Sequence, residues 1–339
     1  MKFSMSSFVY EQWSRPLPVA SHDLTGQTVV VLGANVGLGF EAAKHFARMK
    51  PAKLILACRN QSKADDALAN LRKETGYEGG EVWLVDLLDF ASVSKFGERF
   101  HKKEARLDIF VANAAVAPTG FEVSEEGYEQ TLHVNHLSTA LISLLLLPKM
   151  EATAKLRGSG SKPRLVIVSS EVHHWYQFDA KALAKKDLLK YLGSEEYCTP
   201  AEIALGRLYL LSKLLNVFFT RALASRLSSV TIDTVNPGYC YSGLRRNYAG
   251  VQAIVDRLQE LALARSTEVG SRQLVWAALE GKDTEVHGQY ISNFGALEPA
   301  DYVLENGDLE ERIWDETLAV LSKVEPKVAE VARGLLGVQ

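Results

Sequence analysis

Tyr209 and Lys213 stand four positions apart in Tyr-Leu-Leu-Ser-Lys, a stretch that reads as helix, so both side chains fall on one face. A phenol beside a fixed ammonium has a stabilised phenolate and can exchange a proton with an alcohol oxygen. The pair alone is a common accident of helices. Here three other features precede it in order: Gly33-Ala-Asn35-Val36-Gly37-Leu38-Gly39, Asn113-Ala114-Ala115, and Ser169-Ser170 at the end of an apolar run. Glycines between a strand and a helix permit a tight turn and let a pyrophosphate approach backbone N–H groups. Their spacing is G-x-x-x-G-x-G, not the G-x-G-x-x-G of the common dinucleotide fingerprint. Ser169 and Ser170 are neighbours on a strand end and point to opposite sides, so only one can face a site.

These residues must be positioned by a regular frame. Apolar, β-branched runs predict strands at Thr28 to Leu32, Lys53 to Cys58, Glu81 to Asp86, Leu107 to Ala112, Arg164 to Val168 and Val230 to Val235, with a seventh at Gln289 to Ser292. Helical patterns separate them: Glu41 to Met49, Lys63 to Thr75, Ser92 to Glu104, Glu125 to Met150 and Ala201 to Leu227. The pattern predicts an α/β fold: a Rossmann-like, doubly wound parallel sheet of about seven strands with helices on both faces. The domain organisation expected is an N-terminal arm over 1–25, one domain over 26–297 with insertions at 172–200 and 239–265, and a C-terminal helical extension over 298–339 broken at Pro326. Both insertions leave the carboxyl edge of the sheet, where ligands bind in such folds.

A net charge of -3 gives no electrostatic case for nucleic acid. Cys58, Cys198 and Cys240 are too scattered for a metal site and suit a reducing compartment. The N-terminus lacks the apolar run of a signal peptide. The apolar segment Leu137 to Leu147, ending at Pro148, is short for a bilayer span and reads as a buried helix. A cytoplasmic protein without stable membrane insertion is expected.

In its motifs from about Leu24 to Asn293 the chain resembles the short-chain dehydrogenase/reductase family. Gly33, Gly37 and Gly39 match that family's glycines, and Asn113-Ala114-Ala115 matches its Asn-Ala-Gly turn with Ala for Gly. Asp86-Leu87 matches the acidic residue that holds the adenine edge. The resemblance implies Ser170 as catalytic serine, Tyr209 as acid/base, Lys213 as its partner and ribose ligand, and Asn135 as the residue that binds a relay water. Pro237, Gly238 and Ser242 match the segment that holds the nicotinamide carboxamide, with Ser for Thr. Asn35, Val36 and Leu38 complete the cofactor turn. Arg59, His173-His174 and the long connection to Tyr209 look most like retinol dehydrogenase-like and fungal secondary-metabolite reductases.

An Asp after the second strand would hold the ribose hydroxyls of NAD; this chain has Arg59, whose guanidinium suits a 2′-phosphate. NADP(H) is therefore favoured over NAD(H). His173, His174, Trp175, Tyr239, Tyr241, Leu244 and Tyr248 are candidates for the substrate pocket; the alternative for the histidine cluster is a satisfied polar-aromatic loop. No metal is expected. The expected activity is interconversion of a carbonyl and an alcohol by hydride transfer, as a reductase of an apolar or aromatic substrate. Reduction of an activated C=C or imine, epimerisation, or non-catalytic sensing of nicotinamide redox state are the alternatives. The greasy faces of the two long helices fit a homodimer, and equally fit burial.

Overall fold

The computed structural model describes residues 5–14, 17–158, 161–245 and 250–337, so Tyr248 lies outside the described residues. The strands are Thr28–Leu32 (β1), Lys53–Cys58 (β2), Gly80–Leu84 (β3), Ile109–Ala112 (β4), Arg164–Val168 (β5), Thr231–Val235 (β6), Tyr290–Ser292 (β7) and Gly295–Leu297 (β8). They form one sheet in the order β3-β2-β1-β4-β5-β6-β7-β8. All neighbours are parallel except β7 and β8. Because side chains alternate, Val30 and Leu32 of β1 enter one core while Val29 and Val31 enter the other. Apolar demand on both faces explains the uninterrupted apolar runs.

The eighth strand corrects the expected count. Asn293 and Phe294, with φ of 49° and 61°, make the turn from β7 to β8. Positive φ at both central residues is the geometry of a tight hairpin, usually signalled by Asn-Gly. Phe294 hides that signal; its N–H donates to Gln273 Oε1 at 2.9 Å, which helps hold the turn.

From β1 the chain builds outward to β3, then returns to lay β4 on the other side of β1. The connections diverge there, opening a crevice at the carboxyl ends of β1 and β4. Helices Gly37–Arg48, Gln61–Thr75 and Thr267–Leu279 pack on one face; Phe90–Lys103, a long helix from Gln130 to Arg157, and Arg207–Arg226 pack on the other.

The long helices differ from expectation at their ends. The first starts at Gln130, because the buried Glu129 carboxylate accepts from the N–H groups of Thr131 and Leu132 at 2.8 and 2.9 Å. It then runs through Pro148 to Arg157, and His101 Nε2 donates to the carbonyl of Leu145, one turn before the proline, at 2.8 Å. The Gln130–Arg157 helix is long and apolar enough to cross a membrane, but 94% of its most apolar window is buried inside the fold. The second helix is split: Pro200–Ala204 ends before Gly206, whose φ of 66° restarts the chain as Arg207–Arg226.

Past β8 the chain forms helices Asp301–Glu305, Gly307–Val324 and Pro326–Leu335, with Pro326 at the first position of the last. These cover the outer faces of the two long helices. Trp314 is fully buried and stacks on Phe219, ring centroids 5.7 Å apart. His136 Nε2 meets Thr317 Oγ1 at 3.0 Å, and Arg221 Nε donates to Glu310 at 2.7 Å. Part of the apolar surface of the two long helices is thus covered within one chain.

Candidate active site

A cavity of about 1520 Å³ runs along the carboxyl ends of the central strands, across the crevice. The glycine turn forms its floor. Gly33 has φ 75°, and a Cβ there would sit 2.9 Å from Ala114. A Cβ on Gly39 would collide with the carbonyl of Gly33 and lie 2.5 Å from Asn113 Nδ2. Asn113 Nδ2 in turn donates to the carbonyls of Leu32 and Gly33, each at 3.2 Å, tying the turn after β4 to the turn after β1. Gly39 itself does not line the cavity; it lets the helix and the strand turn close. Gly33, Asn35, Val36, Gly37 and Leu38 do line it. The helix that opens at Gly37 has Val36 at its N-cap, which offers no side-chain acceptor. Its first N–H groups are left for an anion, and the macrodipole adds to the attraction.

At one end of the cavity lie Arg59, Asp86 and Leu87, with Asn60 and Lys63 beside them. Arg59 and Lys63 are exposed cations at the rim. Asn60 caps the next helix by accepting from the Lys63 N–H at 3.0 Å. One oxygen of Asp86 accepts the N–H of Leu88 at 3.0 Å, which fixes the carboxylate and leaves the other oxygen for a ligand. Asn113, Ala114 and Ala115 line the middle, and Pro237, Gly238 and Ser242 line the far end. The glycine cradle and the open helix N-terminus together fit the pyrophosphate of a dinucleotide.

Ser170, Tyr209 and Lys213 all reach the same cavity. Ser170 Oγ accepts from the Val172 N–H at 3.4 Å, whereas Ser169 Oγ turns away and donates to the Lys213 carbonyl at 2.8 Å. The two hydroxyls thus take different partners, although both Ser169 and Ser170 line the cavity. Tyr209 sits in the first turn of its helix, its N–H donating to the Gly206 carbonyl at 3.1 Å. That place sets Tyr209 at the positive end of the helix dipole. Lys213 is 2% exposed; its Nζ lies 5.4 Å from the Tyr209 ring centroid and donates to the Val168 carbonyl at 2.8 Å. Burial pushes its pKa down to about 7 from the ordinary 10.5.

Asn135 does not line the cavity, and its side chain is committed elsewhere. Its Oδ1 accepts from the Val116 N–H at 2.8 Å; its Nδ2 donates to the Val116 carbonyl at 2.9 Å and to Ser212 Oγ at 3.0 Å. The amide pins the loop after β4 to the Tyr209 helix, so it positions the site and has no amide hydrogen left for a relay water. The helix around it, His133–Ser138, is wound as a π-helix, a form frequent at functional sites.

Of the residues expected to face substrate, Trp175, Tyr239 and Leu244 line the cavity, whereas His173, His174 and Tyr241 do not. His173 is fully buried: Nδ1 donates to the Ser170 carbonyl at 2.7 Å and Nε2 accepts from the Ala300 N–H at 3.1 Å. Desolvation lowers its pKa to about 3, so the ring is neutral and bridges the serine turn to the C-terminal helices. His174 packs beside it, centroids 4.1 Å apart. The Tyr241 N–H pairs with the Arg265 carbonyl at 2.9 Å, closing the base of the second insertion. Sequence reasoning missed Phe8, Ile203, Leu205, Leu208 and Leu263 as lining residues. Nothing in the sequence marks Phe8, because only the fold brings the N-terminal helix Met5–Trp13 over the far end of the sheet.

Comparison with known proteins agrees with this geometry. The family model described as short chain dehydrogenase matches residues 27–180. The short chain dehydrogenase/reductase dmxR8 of Cryptosporiopsis sp. is 36% identical over 329 residues, spanning 95% of this chain and 98% of that protein. The short chain dehydrogenase sol3 of Alternaria solani is 42% identical over 240 residues, spanning 68% and 78%. Among solved structures, salutaridine reductase from Papaver somniferum shares the fold with a TM-score of 0.57 at 21% identity, covering 78% of this chain and 99% of that one. A short-chain dehydrogenase from Sphingobium yanoikuyae in complex with NADPH superposes with a TM-score of 0.52 at 21% identity, covering 72% and 81%.

Proposed function

The chain belongs to the short chain dehydrogenase/reductase family, and from that premise we propose that it is an NADP(H)-dependent reductase that converts a carbonyl to an alcohol on an apolar or aromatic substrate of secondary metabolism. The observation that carries the reading is the convergence of Ser170, Tyr209 and Lys213 on one cavity floored by the glycine cradle. The nicotinamide cofactor supplies the hydride when bound. Ser170 Oγ, free to reorient from its weak 3.4 Å contact with Val172, donates to the substrate oxygen and stabilises negative charge there. Tyr209 gives its phenolic proton to that oxygen in reduction and takes it back in oxidation. Lys213 and the first turn of the helix hold the phenolate that results.

Arg59 and Lys63 at the rim support preference for NADP(H), since both can meet a 2′-phosphate and no carboxylate stands at the Arg59 position to hold ribose hydroxyls. Pro237, Gly238 and Ser242 would face the nicotinamide end. The test is consumption of NADPH and, in parallel, NADH against a panel of aldehydes, ketones, quinones and enones, with each product identified. An alcohol product with preference for NADPH supports the proposal. A saturated ketone formed from an enone would assign C=C reduction instead, and tight NADPH binding with no turnover of any compound would favour a redox sensor.

A further inference from the structure

The N-terminal helix has no part in the chemistry above, yet it is built into the site. Arg265 Nη2 donates to the carbonyl of Glu11 and to Ser14 Oγ, and Trp13 Nε1 donates to the carbonyl of Ala262 at 3.1 Å. Gln12, 8% exposed, packs behind Gly238: a Cβ on that glycine would lie 3.3 Å from Gln12 Nε2. The helix is therefore fastened to the segment that would face the nicotinamide, and Phe8 extends from it into the cavity wall at 8% exposure. Phe8 stands edge-on to two other wall rings, with its centroid 6.5 Å from Trp175 and 6.4 Å from Tyr239, at interplanar angles of 73° and 69°. Val172, Ile203, Leu205 and Leu208 are apolar members of the same lining, which also includes the buried Glu171.

We propose that Phe8 is a specificity-determining residue, which with Trp175 and Tyr239 forms a three-ring clamp selecting substrates that carry a planar aromatic ring system next to the reacting carbon. The parts of these rings that line the cavity differ in orientation, so a flat ligand ring against them gains offset or edge-to-face contacts that a saturated ring of equal size does not. The inference deepens the reductase reading and rests on it for which end of the cavity takes substrate.

The test separates the two. Full-length protein saturated with NADPH, which cannot react with an alcohol, is titrated with 2-naphthylmethanol and with its saturated decalin counterpart, for wild type, Phe8→Leu and Phe8→Trp, with NADPH affinity and melting temperature measured for each. Phe8→Leu keeps an apolar side chain on the helix while removing the ring. The expected result is tighter binding of the naphthyl compound by wild type, a loss of about tenfold in Phe8→Leu for that compound alone, and recovery in Phe8→Trp. Equal losses for both compounds would make Phe8 an unselective cover, and no loss would remove it from the site; either overturns the proposal. Turnover of 2-naphthaldehyde by wild type is read separately, because its absence would count against the reductase reading while the binding preference still decides the clamp.

Discussion

Lys213 puts a price on the site that can be measured. Its ammonium is buried, with one hydrogen bond among the described residues, to the Val168 carbonyl at 2.8 Å, and its pKa falls from 10.5 to about 7. At about 1.36 kcal/mol per pKa unit, a fall of that size costs the folded protein at most about 5 kcal/mol wherever the group is protonated in both states. The sign follows from the order of the two values. Below pH 7 both folded and unfolded chains carry the proton and the folded chain bears the full cost. Between pH 7 and 10.5 the unfolded chain binds more protons, so stability rises with pH, and above 10.5 the cost is gone. Lys213→Met removes the charge at similar volume but strands the Val168 carbonyl, which takes back about 1–2 kcal/mol. The cofactor-free variant should therefore be more stable than wild type at pH 6 by about 2–4 kcal/mol. With an unfolding entropy of about 2.1 cal/mol/K per residue over 339 residues, roughly 0.7 kcal/mol/K, that is a melting temperature higher by about 3–6 °C. The assay is thermal unfolding of both proteins without cofactor from pH 6 to 10. The difference should shrink as pH rises above 7. A variant less stable than wild type at pH 6, or a difference independent of pH, would refute the reasoning.

Two other outcomes follow from packing. Gly39→Ala drives a methyl group into the Gly33 carbonyl and Asn113 Nδ2, so fluorescence titration should show NADPH affinity falling by about tenfold or more, with about 1–3 kcal/mol of lost stability; unchanged affinity would mean the turn is not the cofactor cradle. Because helices Gly307–Val324 and Pro326–Leu335 cover the two long helices, light scattering at micromolar concentration should give the monomer mass of 37.4 kDa; twice that mass would mean pairing through some other face.

The frame was legible because a parallel sheet covered on both faces needs apolar runs at regular intervals, and β1, β2 and β5 supply them, whereas β6 is interrupted by the buried Asp233. The chemistry was legible where one residue type is forced by local geometry. Gly33 and Gly39 admit no side chain, and the Ser169-Ser170 alternation follows from the strand period. Legibility failed where a residue's role depends on distant chain. His173 looks like a pocket aromatic, but Ala300, contributed by the C-terminal stretch, turns it into a buried bridge. Asn135, which the resemblance makes a relay-water residue, also ties Val116 to Ser212 through its amide, a link that no sequence pattern marks. Phe8 falls in the stretch read as an N-terminal arm, and only tertiary packing makes it a wall. The β7–β8 turn was missed because Phe294 takes a backbone conformation usually left to glycine or asparagine.

The account turns on Tyr209 as the proton donor. The most direct measurement is steady-state and single-turnover reduction of one carbonyl substrate by wild type and Tyr209→Phe, with NADPH affinity determined for both. The account predicts intact cofactor binding and a fall in kcat of about 10²–10⁴-fold, the range expected for loss of a positioned general acid. A variant that binds NADPH normally and keeps wild-type turnover would contradict it.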